Sequence, residues 1–597
     1  MTTRQASSCR LYAIATVVLI GSIRCGGPLD RPEGRTVHVD VGKNYEVEID
    51  PIDTSRIELF YVCGNEFNVR NANPFTFLVH WKVQNTTDEG TVVIPPPPPG
   101  KAKSETHFVT KATGTVYLYY GNVNVRRYAN QHIPCASPPP PVNPPPPPPP
   151  PPPPSPTASG MGQWSPVFTL PLVAISNTVL PDGRLAMWSR VEDAALWNWR
   201  DNTFKSVPAP TSVFCATQSF LTDGRMMVAG GHITDDHGLR FVNLFDPRTS
   251  TWAPGEPMRA GRWYPTMINL PEGEFLIVGG ATELGVQNPI PEVRRADGSW
   301  RQLTSASHNL PYYPYTFLAP DGRAFVAGPN PTSLFLDMTG TGKWSAGPRT
   351  TTGILRSQGS AVAYEPGKLA IIGGGLTPTN TVETFDLNDP KATFRRAASM
   401  SFARRQINAT MLPDGRVLVT GGTSAPGFND AAGTVLTPEI WDPAKDTWTK
   451  VAPMKVGKLY HSTAVLLPDA RVLSAGGVPT DRRAEIYSPA YLFNPDGTPA
   501  ERPAIAAAPQ QISYNQSFDV ETPDAAHIAS VALIGLPAVT HGMNFNQRFV
   551  RLPFTAGAGR ITVTAPLKPT LAPPSYYYLF ILNEHGVPST ASTLVLK

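Results

Sequence analysis

Residues 457–468 read GKLYHSTAVLLP and set a phenol beside an imidazole, Tyr460 next to His461. In a strand, consecutive side chains point to opposite faces, so a packed core would use one of the two and not both. Three further stretches carry residues that could join them. VFCATQSFLTDGR holds Cys215, GRWYPTMINLPEG holds Tyr264, and AVTHGMNFNQRFVRL holds His541. Two imidazoles and two phenolic oxygens form a donor set that suits Cu(II), which favours tetragonal nitrogen and oxygen ligation. Tyr460 and His461 can share such a site if they lie at a strand end, where the pleat relaxes. Cys215 is either a small buried apolar residue or an unpaired thiol with a use.

These residues need elements that bring them together, and the chain supplies a repeat. The turns LPDGRLAMW, LTDGRMMVAGG, LPEGEFLIVGG, APDGRAFVAG, EPGKLAIIGGG, LPDGRVLVTGG and LPDARVLSAGG centre on Gly183, Gly224, Gly273, Gly322, Gly367, Gly415 and Ala470. Their spacings are 41, 49, 49, 45, 48 and 55 residues. Strand-rich periods of this size mean propeller blades, and about 50 is the kelch period. Partner strands such as NLFDPRTSTW and EIWDPAKDTW complete blades. Seven units predict a seven-bladed β-propeller over 160–500. Cys215, Tyr264 and the Tyr460–His461 pair all precede a turn on the strand that lines the central channel, so they converge near the axis. His541 lies beyond the repeat, on a strand-loop-strand tip that could reach the channel from the last domain.

The rest of the chain is also all-β. Short strands separated by turns predict a β-sandwich over 36–135 and an Ig-like one over 503–597. Between the first sandwich and the propeller, residues 136–159 are a proline-rich linker that holds a semi-rigid extended form. Residues 1–25 read as an export signal, with Arg4 and Arg10 ahead of the apolar LYAIATVVLIGSI. Cys25 before two glycines is a possible lipid-anchor site, although Arg24 fits that poorly. In an oxidising compartment Cys63 and Cys135 are expected to pair. The net charge of +4 over 597 residues is too thin to predict nucleic-acid binding.

With these motifs in place, the region from about 160 to 597 resembles the copper radical oxidases, galactose oxidase and glyoxal oxidase. The resemblance is carried by FC at 214–215, RWYP at 262–265, YHS at 460–462, THGMNFNQR at 540–548 and the terminal LFILNEHGVPSTAST. It implies a thioether between Cys215 and Tyr264 that makes the tyrosine a stable radical. It implies one copper ion held by Tyr264, His461 and His541, with Tyr460 as axial ligand and base. The implied reaction oxidises a primary alcohol or small aldehyde with O2 and releases H2O2. Two departures stand out. Where galactose oxidase has a tryptophan stacked on the cross-link, this chain reads GGATE with Thr282, leaving Trp263 as a candidate and Phe214 as a wall. The sugar-contacting arginine has no counterpart in HNLPYYPYTFLAPDG, which turns the expectation from galactose towards simple alcohols or aldehydes.

Other features read more plainly. His232, Asp235, Asp236 and His237 in GGHITDDHG fit a polar blade loop better than a second metal site. The DGR turns fit turn chemistry. Tyr312, Tyr313 and Tyr315 fit blade packing as well as a pocket wall. The alternative to an oxidase is a catalytically silent exported propeller that binds a protein or cell-wall glycan. The N-terminal sandwich is the part expected to meet polysaccharide.

Overall fold

A computed structural model describes residues 23–24, 48–49, 57–63, 66–72, 77–83, 86–97, 103–112, 115–120, 123–129, 158–190, 193–477 and 480–597. The export signal apart from 23–24, Cys25, the Cys63–Cys135 pairing and residues 136–157 of the linker lie outside what it describes. The chain divides into two compact units, Met1–Val142 and Asn143–Lys597.

Among the described residues of the first unit, Ile23–Arg24 pairs antiparallel with Glu48–Ile49, and two larger antiparallel sheets form its core. One joins Ile57–Cys63, Glu66–Asn71 and Ser104–Val109, and the other joins Glu89–Ile94, Phe77–Val83, Thr115–Tyr120 and Val123–Ala129. Alternating apolar residues fill the space between them, and Trp81 of one sheet stacks on Phe108 of the other at 5.3 Å.

In the second unit, seven antiparallel sheets follow one another among the described residues. Six contain four consecutive strands of the repeat, the first spanning 176–206 and the sixth 405–450. The seventh, over 462–488, takes its outer strands from the start of the unit. Gln163–Trp164 and Phe168–Thr169 both pair with Arg483–Ser488, which ties the last blade to the first segment of the propeller. The turn residues explain the period: Gly183, Gly224, Gly273, Gly322, Gly367 and Gly415 all have φ between 73° and 94°, a region most side chains avoid. In Asp-Gly-Arg turns the aspartate caps the turn, as where Asp223 accepts from the Arg225 N–H at 3.0 Å.

The innermost strands pack against one another in blade order, with one interruption. Between Ser176–Val179 of the first blade and Thr217–Phe220 of the second lies Ala538–Thr540, a strand from the C-terminal domain. It pairs antiparallel with Ser176–Thr178 and turns at His541–Gly542 into Met543–Asn544. That domain is itself two sheets around Val531, Leu533, Tyr577, Leu579 and Ile561. Its hairpin is therefore a structural part of the propeller and not merely an apposed loop.

Candidate metal centre

Six non-glycine residues with positive φ mark the same place in six blades: Cys215 (60°), Tyr264 (62°), Tyr313 (46°), Gln358 (60°), Gln406 (61°) and His461 (67°). Each lies nine residues before its turn residue, from Gly224 to Ala470. Left-handed backbone outside glycine is costly and tends to persist at functional sites. Backbone hydrogen bonds string part of the ring together. Tyr264 N–H donates to Cys215 O at 3.0 Å, Tyr313 N–H to Tyr264 O at 2.9 Å, and Gln406 N–H to Gln358 O at 2.5 Å.

A buried cation anchors each of four ring segments, a device the sequence reading did not detect. Arg262, Arg356 and Arg404 stand two residues before their ring residue. Each donates to the first carbonyl of its own Gly-Gly pair, at Gly279 (2.7 Å), Gly373 (3.0 Å) and Gly421 (3.3 Å). Each also pairs with a fully buried glutamate, Glu292, Glu383 or Glu439. In the seventh blade Lys458 does the same at Gly476 (2.8 Å), with Asp481 at 3.2 Å. The Gly-Gly signature follows from this close packing. A Cβ on Gly476 would lie 2.5 Å from the His461 carbonyl oxygen, well inside contact distance.

The side chains at the axis come from four separate segments. The Tyr264 and Tyr460 hydroxyls are hydrogen-bonded to each other. The His541 ring lies edge-on to Tyr264 at 4.7 Å, to Tyr460 at 5.5 Å and to His461 at 4.6 Å. Cys215 Sγ is 3.9 Å from His541 Nε2, and Cys215 is a free, fully buried thiol. Thr540 Oγ1 donates to the Ile175 carbonyl at 3.1 Å, so it accepts from His541 Nδ1–H at 2.7 Å. That fixes the tautomer and leaves the Nε2 lone pair free. His461 Nε2 is buried with no partner, an orphan that native structures rarely leave without a purpose.

Tyr264 is held between rings. Trp263 stacks on it at 3.9 Å and 17°, Tyr313 at 4.6 Å and 21°, and Tyr312 meets it edge-on at 5.6 Å. Phe214 touches the His232, His461 and His541 rings. Thr282 does not take part in this stack; its hydroxyl accepts from Leu284 N–H within its own loop. The 232–237 loop forms a wall of the pocket, with its side chains engaged by their neighbours. His232 Nδ1 accepts from the Trp263 indole at 3.1 Å, Asp235 pairs with Arg190 at 2.8 Å, and Asp236 accepts from Tyr312 at 2.8 Å. Tyr315 donates to the Arg356 carbonyl at 2.8 Å and is packing.

Burial dominates the electrostatics. It pulls the His461 imidazole down to about 3, with Arg190 adding to the effect, and His541 well below its ordinary value, helped by His461. It pushes the Tyr264, Tyr460 and Cys215 protons to stay on. Without a cation, all five groups are therefore neutral. Two free imidazole nitrogens and two phenols in a water-poor pocket fit a copper ion, whose charge would reverse the preference of the phenols.

Two rim residues escaped the sequence reading. Phe428 packs edge-on against Tyr460 at 4.7 Å. Arg405 sits 5.8 Å over Phe428 and donates to the Leu376 carbonyl at 3.2 Å. Phe428 lies in a loop that differs in length and composition from blade to blade, so the repeat gave no signal for it, whereas Arg405 begins a strand one residue before its ring residue, at the offset of Trp263 and Tyr460.

Known proteins show the same arrangement of parts. The description "Glyoxal oxidase N-terminus" matches residues 184–350 and 375–491, and "Galactose oxidase-like, Early set domain" matches 502–596. A galactose oxidase of Gibberella zeae is 28% identical over 487 residues, 73% of this chain and 70% of that protein. The aldehyde oxidase GLOX of Vitis pseudoreticulata is 29% identical over 65% of this chain and 83% of its own. A solved fungal alcohol oxidase of the AA5 family, in complex with copper, superposes with a TM-score of 0.68 at 26% identity, over 73% of this chain and all of that one. The chain belongs to the galactose oxidase and glyoxal oxidase family.

Proposed function

We propose that the axial cluster is a mononuclear copper centre with a cysteinyl-tyrosine radical, oxidising a primary alcohol or aldehyde. The coarser statement follows from the family: the protein is a copper-dependent oxidase acting on an alcohol or aldehyde. The observation that carries the finer reading is the Tyr264–Tyr460 hydroxyl contact, with His541 and the orphaned His461 Nε2 beside it. Tyr264, Tyr460, His461 and His541 would hold the metal. Bound copper would supply one-electron redox chemistry and pass electrons to O2.

The chain's own groups divide the remaining work. Cys215 Sγ joins the Tyr264 ring carbon ortho to its hydroxyl, with loss of the thiol hydrogen and one ring hydrogen to O2 as oxidant. The thioether and the stacked Trp263 and Tyr313 rings make the oxidised phenol easier to reach and shield it. Tyr460, as phenolate, takes the substrate hydroxyl proton. The Tyr264 radical takes a hydrogen atom from the substrate carbon. The balance is RCH2OH + O2 → RCHO + H2O2.

The rim favours substrates with an apolar body. Phe428 is 60% exposed and Leu376 67% exposed, and Arg405 bridges their loops. Exposed apolar residues grouped beside a polar site mark a binding surface. On the same footing, the N-terminal sandwich is proposed to bind wall polysaccharide; a protein lacking residues 1–159 that adheres equally well would remove that role.

The deciding experiment is peptide mass spectrometry on protein matured with copper in air. A linked pair containing Cys215 and Tyr264, lighter by two hydrogens than its parts, is expected. An alkylatable Cys215 after the same treatment would remove the radical mechanism and leave the propeller as a scaffold for a binding partner.

A further inference from the structure

Below the metal centre, where the C-terminal domain meets the inner strands, two small cavities share Asn544, Gln547 and Arg548. The larger is about 30 Å³, room for roughly two waters or one small ion. Arg548 is 8% exposed. The other buried arginines, Arg262, Arg356 and Arg404, each meet a glutamate. Arg548 has no carboxylate and no hydrogen-bond acceptor among the described residues, and neither cavity has a carboxylate in its lining. An isolated buried charge is strongly disfavoured unless something compensates it.

The amides beside it are engaged elsewhere, and the Tyr577 hydroxyl, which lines the larger cavity near Arg548, donates to Pro573 O at 2.7 Å. Gln547 Oε1 accepts from Ala363 N–H at 3.3 Å, and its amide nitrogen donates to Ala361 O at 2.5 Å. Asn546 Oδ1 accepts from the Ser575 hydroxyl at 3.2 Å and its nitrogen donates to Leu536 O at 3.0 Å. Asn544 Oδ1 accepts from two backbone groups, Ala538 N–H at 3.1 Å and Asn546 N–H at 3.2 Å. Those two donors fix the amide, so Asn544 Nδ2 is left as a donor. Thr266 Oγ1 is buried and unpartnered. The site thus offers a guanidinium, an amide N–H2 and a hydroxyl, while the oxygens of its asparagines and of Gln547 are already engaged.

We propose that this cavity binds a small monovalent inorganic anion of the halide class, held by Arg548 and Asn544. The ion answers the uncompensated guanidinium and takes the free donors. It also has structural reach. Asn544 closes the hairpin that carries His541, so an occupied site braces that hairpin from below. The proposal does not depend on the copper reading, because none of its groups belongs to the axial cluster.

Two measurements on the full chain test it, neither involving turnover. The first is anomalous diffraction from crystals soaked in sodium bromide. The second is Tm in sodium chloride against sodium gluconate at equal ionic strength. A bromide peak within hydrogen-bond distance of Arg548 is expected, together with a Tm several degrees higher in chloride. Both should vanish in Asn544→Asp, whose carboxylate would take the ion's place while keeping the two backbone hydrogen bonds. Arg548→Gln should lose both as well; should it fail to fold, Asn544→Asp carries the test. Water in the cavity with bromide only at surface positions, an adventitious ion only, would overturn the proposal. So would a Tm that responds equally to both salts.

Discussion

The rings of Trp263 and Tyr264, consecutive in the chain, stack with centroids 3.9 Å apart, and those of Tyr460 and His461 do the same at the same separation. Neither pair lies within a strand. The strands begin at Thr266 and Ser462, and the second residue of each pair has positive φ. Alternation therefore does not apply, and two neighbours can face one site.

The Trp263 stack should shape the lifetime of the oxidised tyrosine. Aromatic stacks contribute about 0.5–1.5 kcal/mol beyond burial. Trp263→Phe is expected to keep the fold, lose the bond to His232, and shorten the lifetime of the oxidised form by up to about tenfold. Decay of its visible absorbance after oxidant removal measures this; an unchanged decay would mean that Tyr313 alone supplies the shielding.

Gly542 sets the seat of His541. Its φ is 75°, and a Cβ there would lie 2.3 Å from the Ile407 carbonyl oxygen. Gly542→Ala should cost about 1–3 kcal/mol of stability and lower the copper retained after dialysis. Metal analysis and Tm on the same sample check both parts.

Phe428 should set preference more than chemistry. Phe428→Ala removes an exposed wall, so kcat/KM for apolar primary alcohols is expected to fall about tenfold, with little change for the smallest substrates. Equal losses for both would place Phe428 in support of Tyr460 instead.

The buried cation anchors should be sensitive to single changes. Arg404→Met leaves Glu439 charged, buried and unpaired, at a cost of about 3–5 kcal/mol. Adding Glu439→Leu should recover most of that, but not all. The Ser401 N–H, which donates to Glu439 at 2.7 Å, would still be unsatisfied at about 1–3 kcal/mol. Denaturant midpoints of the wild type and the two variants give the comparison.

The buried imidazoles predict acid sensitivity in the copper-free protein. His232 and His461 are held near 4 and 3, and His541 well below its ordinary value, which for all three is 6.5. Between 6.5 and those values the unfolded chain binds protons that the folded one refuses. Stability should be level above about pH 7 and fall as pH drops from 6.5 towards 4, by up to about 1.4 kcal/mol per unit for each group. A Tm that stays level across that window would mean the pocket admits water and charge freely.

Much of this was legible in the sequence because the repeat carries its own ruler. A glycine in each turn needs positive φ, so the period is written in residue type, and residues at a fixed offset from it must share a place in the fold. Cys215, Tyr264 and His461 are readable for that reason. His541 is readable only by its surrounding motif, since no local rule says that Ala538–Thr540 joins the first blade. Tyr313 carries the right offset but looks like any packed aromatic until its ring is seen against Tyr264. Thr282 was placed by analogy of position, whereas the covering ring comes from the residue beside Tyr264. The Arg–Glu anchors went unread because their partners lie 27 to 35 residues apart and meet only through the blade geometry.

The hairpin through the first blade has a consequence for how the protein is made. Cys215, Tyr264, Tyr460 and His461 are all translated before His541, and that last donor arrives only when the C-terminal domain has folded and threaded its strand beside Ser176–Thr178. A half-built chain therefore carries a thiol and two phenols without the means to seat a metal among them. The order of synthesis acts as a safety catch: the reactive pocket is complete only in a finished molecule.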